Sequence, residues 1–248
     1  MESPGRTRYS GRMCGRLVIT DSAPDLAAMF DIGHVGENLP EPSWNIRPTE
    51  QIPIVLESAK TVPPVRRLES ARWSLIPSFA TESTSKFPTF NARAETAAEK
   101  PTFTMSVRSR RALVPATGYF EWHTEGTVKT PYFIQSDDGL PLALAGLYSW
   151  WKNPAAVDSD PARWVLSATI LTTNSEGSLA QIHDRTPVAL PEEWWDHWLD
   201  PATEGDQDLV DAAVAASRIV VASLNFHEVG RVTGNGPELV EPITNASV

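Results

Sequence analysis

A chain of 248 residues that carries a single cysteine, Cys14, can form no internal disulfide framework and no cysteine-rich zinc site. With no signal-peptide pattern at its start, that scarcity leads to the expectation of a reducing, cytosolic compartment. Long apolar runs are lacking as well. The longest, LPLALAGLYSWW over 140–151, falls far short of the roughly 20 residues a membrane helix needs, so a soluble protein is expected. No glycine-rich phosphate cradle and no serine nucleophile elbow occurs, and His34, His123, His197 and His227 show no ligand spacing. Neither a nucleotide cofactor nor a metal is therefore expected.

Positive charge is scarce, but unevenly so. The net charge is −10, which taken as one number argues against a nucleic-acid partner. Residues 1–125 balance at +1 and residues 126–248 at −11. Much of the acid lies in PEEWWDHWLDPATEGDQDLVDAAV (191–214), which reads as the solvated faces of amphipathic helices. A basic groove on the first half stays open, because binding follows local rather than summed charge.

The 21 prolines are spread along the chain without a low-complexity linker or an internal repeat, which favours one loop-rich domain. Strands are expected at 16–20, 52–57, 72–77, 112–122, 131–136, 142–151, 164–173 and 218–224, where β-branched and aromatic residues are bounded by Pro, Gly or Ser. Helices are expected in SAPDLAAMFDI (22–32) behind a Ser N-cap, across RAETAAEK and PTFTMSVRSRR (93–111), and in PEEWWDHWL and DQDLVDAAVAASR, which begin with Pro or Asp. Many strands with few interleaved helices give an α+β class on mixed sheets. MESPGRTRYSGR (1–12) has no apolar period and is expected to be disordered; the domain is expected to begin at Met13.

Candidate chemistry starts at Cys14. Its residue type alone suits a small buried hydrophobe. If Met13 were the first residue, methionine removal would leave Cys14 with an α-amine of pKa about 7.7–8.0 beside a thiol of pKa about 8.5. Such a 1,2-aminothiol condenses with an aldehyde, first as a Schiff base and then as a thiazolidine. In FNARAET (90–96), Asn91, Arg93 and Glu95 sit in a short loop entering a helix, a setting for an anion or simply a capped helix start. Glu121 lies among aromatics in GYFEWH (118–123), where burial would tune it for acid/base work, though an outward-facing strand carboxylate fits the same letters. AQIHDRTPV (180–188) places His183, Asp184 and Arg185 in a turn ahead of Pro187, a proton shuttle and a phosphate clamp or an ordinary loop. Trp44 and Trp73, beside Arg47 and Arg72, suit stacking by single-stranded nucleic acid as well as they suit a core.

Taken in order, MCGR (13–16), WNIRPT (44–49), RWSLIPSF (72–79), FNARAET (90–96), RRALVPATGYFEW (110–122), ALAGLY (143–148), TILTTNS (169–175) and IHDRTPV (182–188) resemble the SOS response-associated peptidase (SRAP) family of abasic-site processing proteins. The resemblance spans 13–235, with 236–248 set apart as a tail. It implies one α+β domain of curved, barrel-like mixed sheets flanked by short helices around a DNA-binding groove. It also implies that Cys14, once N-terminal, bonds covalently to the ring-opened aldehyde of an abasic site in single-stranded DNA and so protects the lesion. On the same match Asn91 orients the reacting centre, Glu121 is the acid/base near the cysteine amine, and His183 assists sugar-ring opening. Arg16 and Arg93 hold flanking phosphates, with Arg185 doing likewise, while Trp73 and Trp122 stack on or shelter the DNA.

The twelve residues ahead of Met13 would block the Cys14 amine. Either translation starts at Met13, the reading favoured here, or the extension is removed by self-processing peptidase activity; Arg6, Arg8 and Arg12 could otherwise form a DNA-contacting tail. Two other classes compete with covalent capture: a cysteine-dependent peptidase and a non-covalent single-strand binder. A monomer is expected, since no self-complementary apolar stripe stands out.

Overall fold

Short apolar runs rich in β-branched and aromatic residues form two sheets, and a computed structural model describing residues 15–58, 62–160 and 163–243 shows how they join. The first sheet places Leu224–Glu228 (β13), Val128–Ser136 (β9), Gly118–Glu125 (β8), Leu17–Ile19 (β1) and Ser43–Ile46 (β3) side by side, each pair antiparallel. The second runs through Arg185–Pro187 (β12), Trp164–Asn174 (β11), Leu142–Lys152 (β10), Arg111–Ala116 (β7), Gln51–Ser58 (β4), Val65–Trp73 (β5) and His34–Val35 (β2). Parallel pairing of Ser167 with Arg72 and Ala168 with Trp73 brings β5 back to β11, closing β5, β4, β7, β10 and β11 into a five-stranded ring. Asn91–Arg93 (β6) continues along β11 beyond β5.

The run expected as one strand over 112–122 is two. β7 ends at Ala116 in the ring, Thr117 turns, and β8 starts at Gly118 in the other sheet. Glycine is needed at 118 because a Cβ there would lie 2.5 Å from both the Ile134 carbonyl oxygen and Phe133 Cζ. Residues 218–224 are a second correction. The expected strand is mostly the end of a helix, Gln207–Ala222 (α4), and only Leu224 enters β13. Asp206 caps that helix by accepting the Leu209 N–H at 3.0 Å, and Leu209, Val210, Ala213 and Ser217 bury one helical face, so the 3.6-residue period outweighs the β-branched run. The strand expected at 72–77 ends at Trp73. FNARAET contributes a strand followed by a single 3-10 turn, Ala94–Thr96, and β12 incorporates Pro187.

The remaining helices are Ala23–Met29 (α1), started by a Ser22/Asp25 capping box, Pro101–Ser109 (α2) and Trp195–Leu199 (α3). They pack with α4 on the outside of the ring through Leu26, Phe103, Val107, Trp198 and Val210. The ring interior holds Ile52, Ile54, Trp73, Val114, Leu144 and Ile170 and runs on into Leu17 and Tyr119 of the first sheet. The outer face of the first sheet, with Val18, Phe120 and Phe133, is covered by Val229, Val232 and Leu239. Residues set apart as a tail thus pack on the domain: Leu239 is buried and Pro242 bridges to Val229. The expected disorder of 1–12 concerns residues outside those described.

Candidate active site

Strand alternation decides which way Glu121 points. Tyr119 belongs to the interior and Phe120 to the outer cluster, so Glu121, two residues beyond Tyr119, shares the interior face. Its residue is 2% exposed, and its Oε2 accepts the Trp122 N–H at 3.3 Å. The neighbouring strand is β1, with Leu17 opposite Tyr119 and Val18 opposite Gly118. The Phe120 N–H donates to the Arg16 carbonyl at 3.0 Å, so the ladder runs one rung past β1. Cys14 itself lies outside the described residues.

The second part of the site forms where β11 ends. Thr172 is opposite both Arg93 of β6 and Pro187 of β12, and Asn174 is opposite Arg185. Strands about 4.8 Å apart therefore set the two carriers roughly 10 Å from each other across β11. Asn91 is buried in β6 opposite Ile170, and Arg93 is exposed. Arg185 is enclosed, with its fork on the Glu95 carboxylate at 2.7 and 2.8 Å and a further bond to Asn174 Oδ1 at 2.7 Å. Its guanidinium is thus occupied by protein acceptors, including the Thr172 carbonyl. Burial works against the ionised form of Glu95, but the Arg185 fork, with backbone and Thr173 hydrogen bonds, outweighs it and holds the carboxyl below the usual range.

His183 precedes β12 and is largely enclosed. Its Nδ1 accepts the Arg185 N–H at 3.1 Å and lies 3.0 Å from Asp184 Oδ1. Burial lowers its pKa, only partly opposed by Asp184, so the neutral ring predominates at neutral pH. The two parts are tied together: the Tyr119 and Thr186 hydroxyls are hydrogen-bonded at 3.1 Å, linking the Glu121 strand to the one that His183 leads into.

Arg16 reaches Asn45 Oδ1 at 2.6 Å, and Asn45 in turn donates to the Gly234 carbonyl at 2.6 Å. Partial burial and the nearby charge of Arg47 both lower the Arg16 pKa, with Glu50 acting the other way. Two guanidiniums thus share one field beside the entry of the chain. Trp122 packs with the outer cluster of the first sheet, on the opposite face from Glu121. Trp73 is fully buried inside the ring, its indole N–H on the Phe90 carbonyl at 2.9 Å. The letters that flagged these positions left out Glu95 as a partner of Arg185, and Tyr119 and Thr186 altogether; residues 90 and 67 apart meet only through strand pairing. No group of three or more His, Cys, Asp or Glu is placed to hold a metal ion among the described residues.

The family model described as SOS response associated peptidase (SRAP) matches residues 13–235. Abasic site processing protein YoqW of Bacillus subtilis is 32% identical over 240 residues, which cover 92% of this chain and 99% of that protein. Abasic site processing protein YedK of Escherichia coli is 31% identical over 240 residues, covering 93% and 100%. A crystal structure from Bacteroides thetaiotaomicron superposes with a TM-score of 0.74 at 22% identity, over 93% of this chain and all of that one. A phage-related protein from Bordetella bronchiseptica superposes with a TM-score of 0.63 at 28% identity, over 88% and 95%.

Proposed function

The chain belongs to the SRAP family, and on that premise we propose that it processes abasic sites in single-stranded DNA by covalent capture through Cys14, made N-terminal by loss of residues 1–13. The observation that carries this reading is the interior carboxylate of Glu121 on the strand that pairs with the chain immediately after Cys14. A carboxylate there serves a nucleophilic amine as proton acceptor and then as donor.

The balance of the reaction follows from the groups. The Cys14 amine adds to C1′ of the ring-opened sugar, and its proton passes through Glu121 to the carbinolamine hydroxyl, which leaves as water. The thiol then adds across the resulting imine, closing a five-membered thiazolidine with one new C–N and one new C–S bond. His183 assists at the sugar oxygen during ring opening, Asn91 orients the reacting carbon, and Arg16 and Arg93 hold flanking phosphates. An imine that is not trapped by the thiol permits β-elimination, which is lyase chemistry. The step that removes 1–13 is self-processing if it uses the same thiol.

Intact mass and peptide mapping test this on protein made from its native gene and incubated with an oligonucleotide bearing one abasic site. The expected product is a chain starting at Cys14, heavier by the oligonucleotide less one water and stable to denaturation. C14S, which keeps the amine, should give only a reversible, strand-cleaving imine. An unmodified chain that still carries residues 1–13 would overturn the reading. Salt-sensitive binding without an adduct would leave a non-covalent binder.

A further inference from the structure

We propose that Arg185, anchored by Glu95, is a positioning residue that holds His183 as the neutral Nε2–H tautomer, with Asp184 serving as partner of the ring only when it is protonated. The argument turns on one atom. His183 Nδ1 has two neighbours, the Arg185 backbone N–H at 3.1 Å and the Asp184 carboxylate at 3.0 Å. An N–H can only donate and a carboxylate only accept, so Nδ1 serves one of them at a time.

The Arg185 N–H is the fixed member of the pair. Its residue is 4% exposed, its backbone is in register with Asn174, and its side chain is locked by the two-point Glu95 contact and by Asn174 and Thr172. Asp184 is 70% exposed at its side chain, so water satisfies its carboxylate when the ring does not. A proton on Nδ1 of the neutral ring would set N–H against N–H at a buried backbone donor, which is costly. Uptake of a second proton reverses the preference, and Nδ1–H then turns to Asp184. The charged groups acting on the ring among the described residues are Asp184 and Arg185, with Glu95 offsetting the latter from behind.

The neutral ring therefore offers substrate an N–H at Nε2, a hydrogen-bond donor for the sugar oxygen that departs as the ring opens. That catalytic meaning rests on the proposed function; the tautomer does not. Ring nitrogen NMR of the free, full chain reads it directly. The expected wild-type result is an Nε2–H ring above its titration midpoint. E95A should give a mixture of tautomers and slow adduct formation by about tenfold or more, as loss of positioning does, with E95Q recovering part of the rate. D184N lies on the surface and leaves folding intact; it should keep the neutral tautomer and move the midpoint to lower pH. A wild-type ring protonated at Nδ1, or an unchanged tautomer in E95A, would overturn the positioning role. If E95A does not fold, a D184N midpoint equal to wild type overturns the role given to Asp184. A wild-type chain that shows the tautomer pattern but forms no adduct would instead sink the proposed function.

Discussion

The Tyr119 and Thr186 hydroxyls meet at 3.1 Å inside the domain, one from each sheet. This contact couples the strand bearing Glu121 to the strand that begins two residues after His183. Y119F should cost about 1 kcal/mol, the usual net worth of a buried neutral hydrogen bond. Denaturant titration should show a lower midpoint with an unchanged slope. Adduct formation should slow more than an equally destabilising change in the helix layer would slow it; equal effects would mean that the contact supports the fold alone.

Gly118 permits the crossover between the sheets. A methyl group there would sit 2.5 Å from the Ile134 carbonyl oxygen and from Phe133 Cζ, and strand backbone does not yield cheaply. G118A is expected to destabilise by about 1–3 kcal/mol, the range for overpacking. A melting temperature equal to wild type would contradict the close approach of β8 and β9.

Acid should weaken the Glu95–Arg185 contact in a defined direction. The folded carboxyl sits below its ordinary value of 4.5, so the unfolded chain takes up the proton first. The contribution is whole above that value and is lost as pH falls through the folded pKa. Urea midpoints from pH 7 down to pH 3 should fall more steeply for wild type than for E95Q. Parallel curves would show that the pair carries no pH-linked stability.

His183 has the opposite charge type and its own sign. Burial puts its folded pKa below the ordinary 6.5, so on acidification the unfolded ring is protonated first. Stability is highest above that value and declines between it and the folded pKa. The titration of the ring itself, followed by nitrogen NMR, should likewise have its midpoint below pH 6.5. A midpoint at or above 6.5 would mean that burial does not govern this histidine.

The fold class was legible because apolar and aromatic runs such as 131–136 and 142–151, bounded by Pro, Gly or Ser, have the length and composition of strands. What escaped was pairing. Nothing in ALVPATGYFEW tells that Thr117 is a corner between sheets, and RIVVASL has strand letters inside a helix fixed by its cap and buried face. Of the site residues, Glu121, Asn91 and His183 were readable as chemistry-bearing types. The commitment of Arg185 to Glu95 was not, because it depends on β6 and β12 flanking one strand. The burial of Trp73 depends on closure of the ring, a contact between β5 and β11 nearly a hundred residues apart.

The Phe120–Arg16 rung makes the opening of the domain a ruler. Arg16 is the last rung of the ladder before the strand Leu17–Ile19 begins. Strand residues alternate sides, so one residue inserted or deleted between Arg16 and Ile19 would exchange the faces of Leu17 and Val18, which pack in the interior and in the outer cluster. Length in this segment is therefore under tighter constraint than identity. A replacement of one apolar residue by another changes what the strand is made of, whereas a change in count alters which cluster each side chain enters.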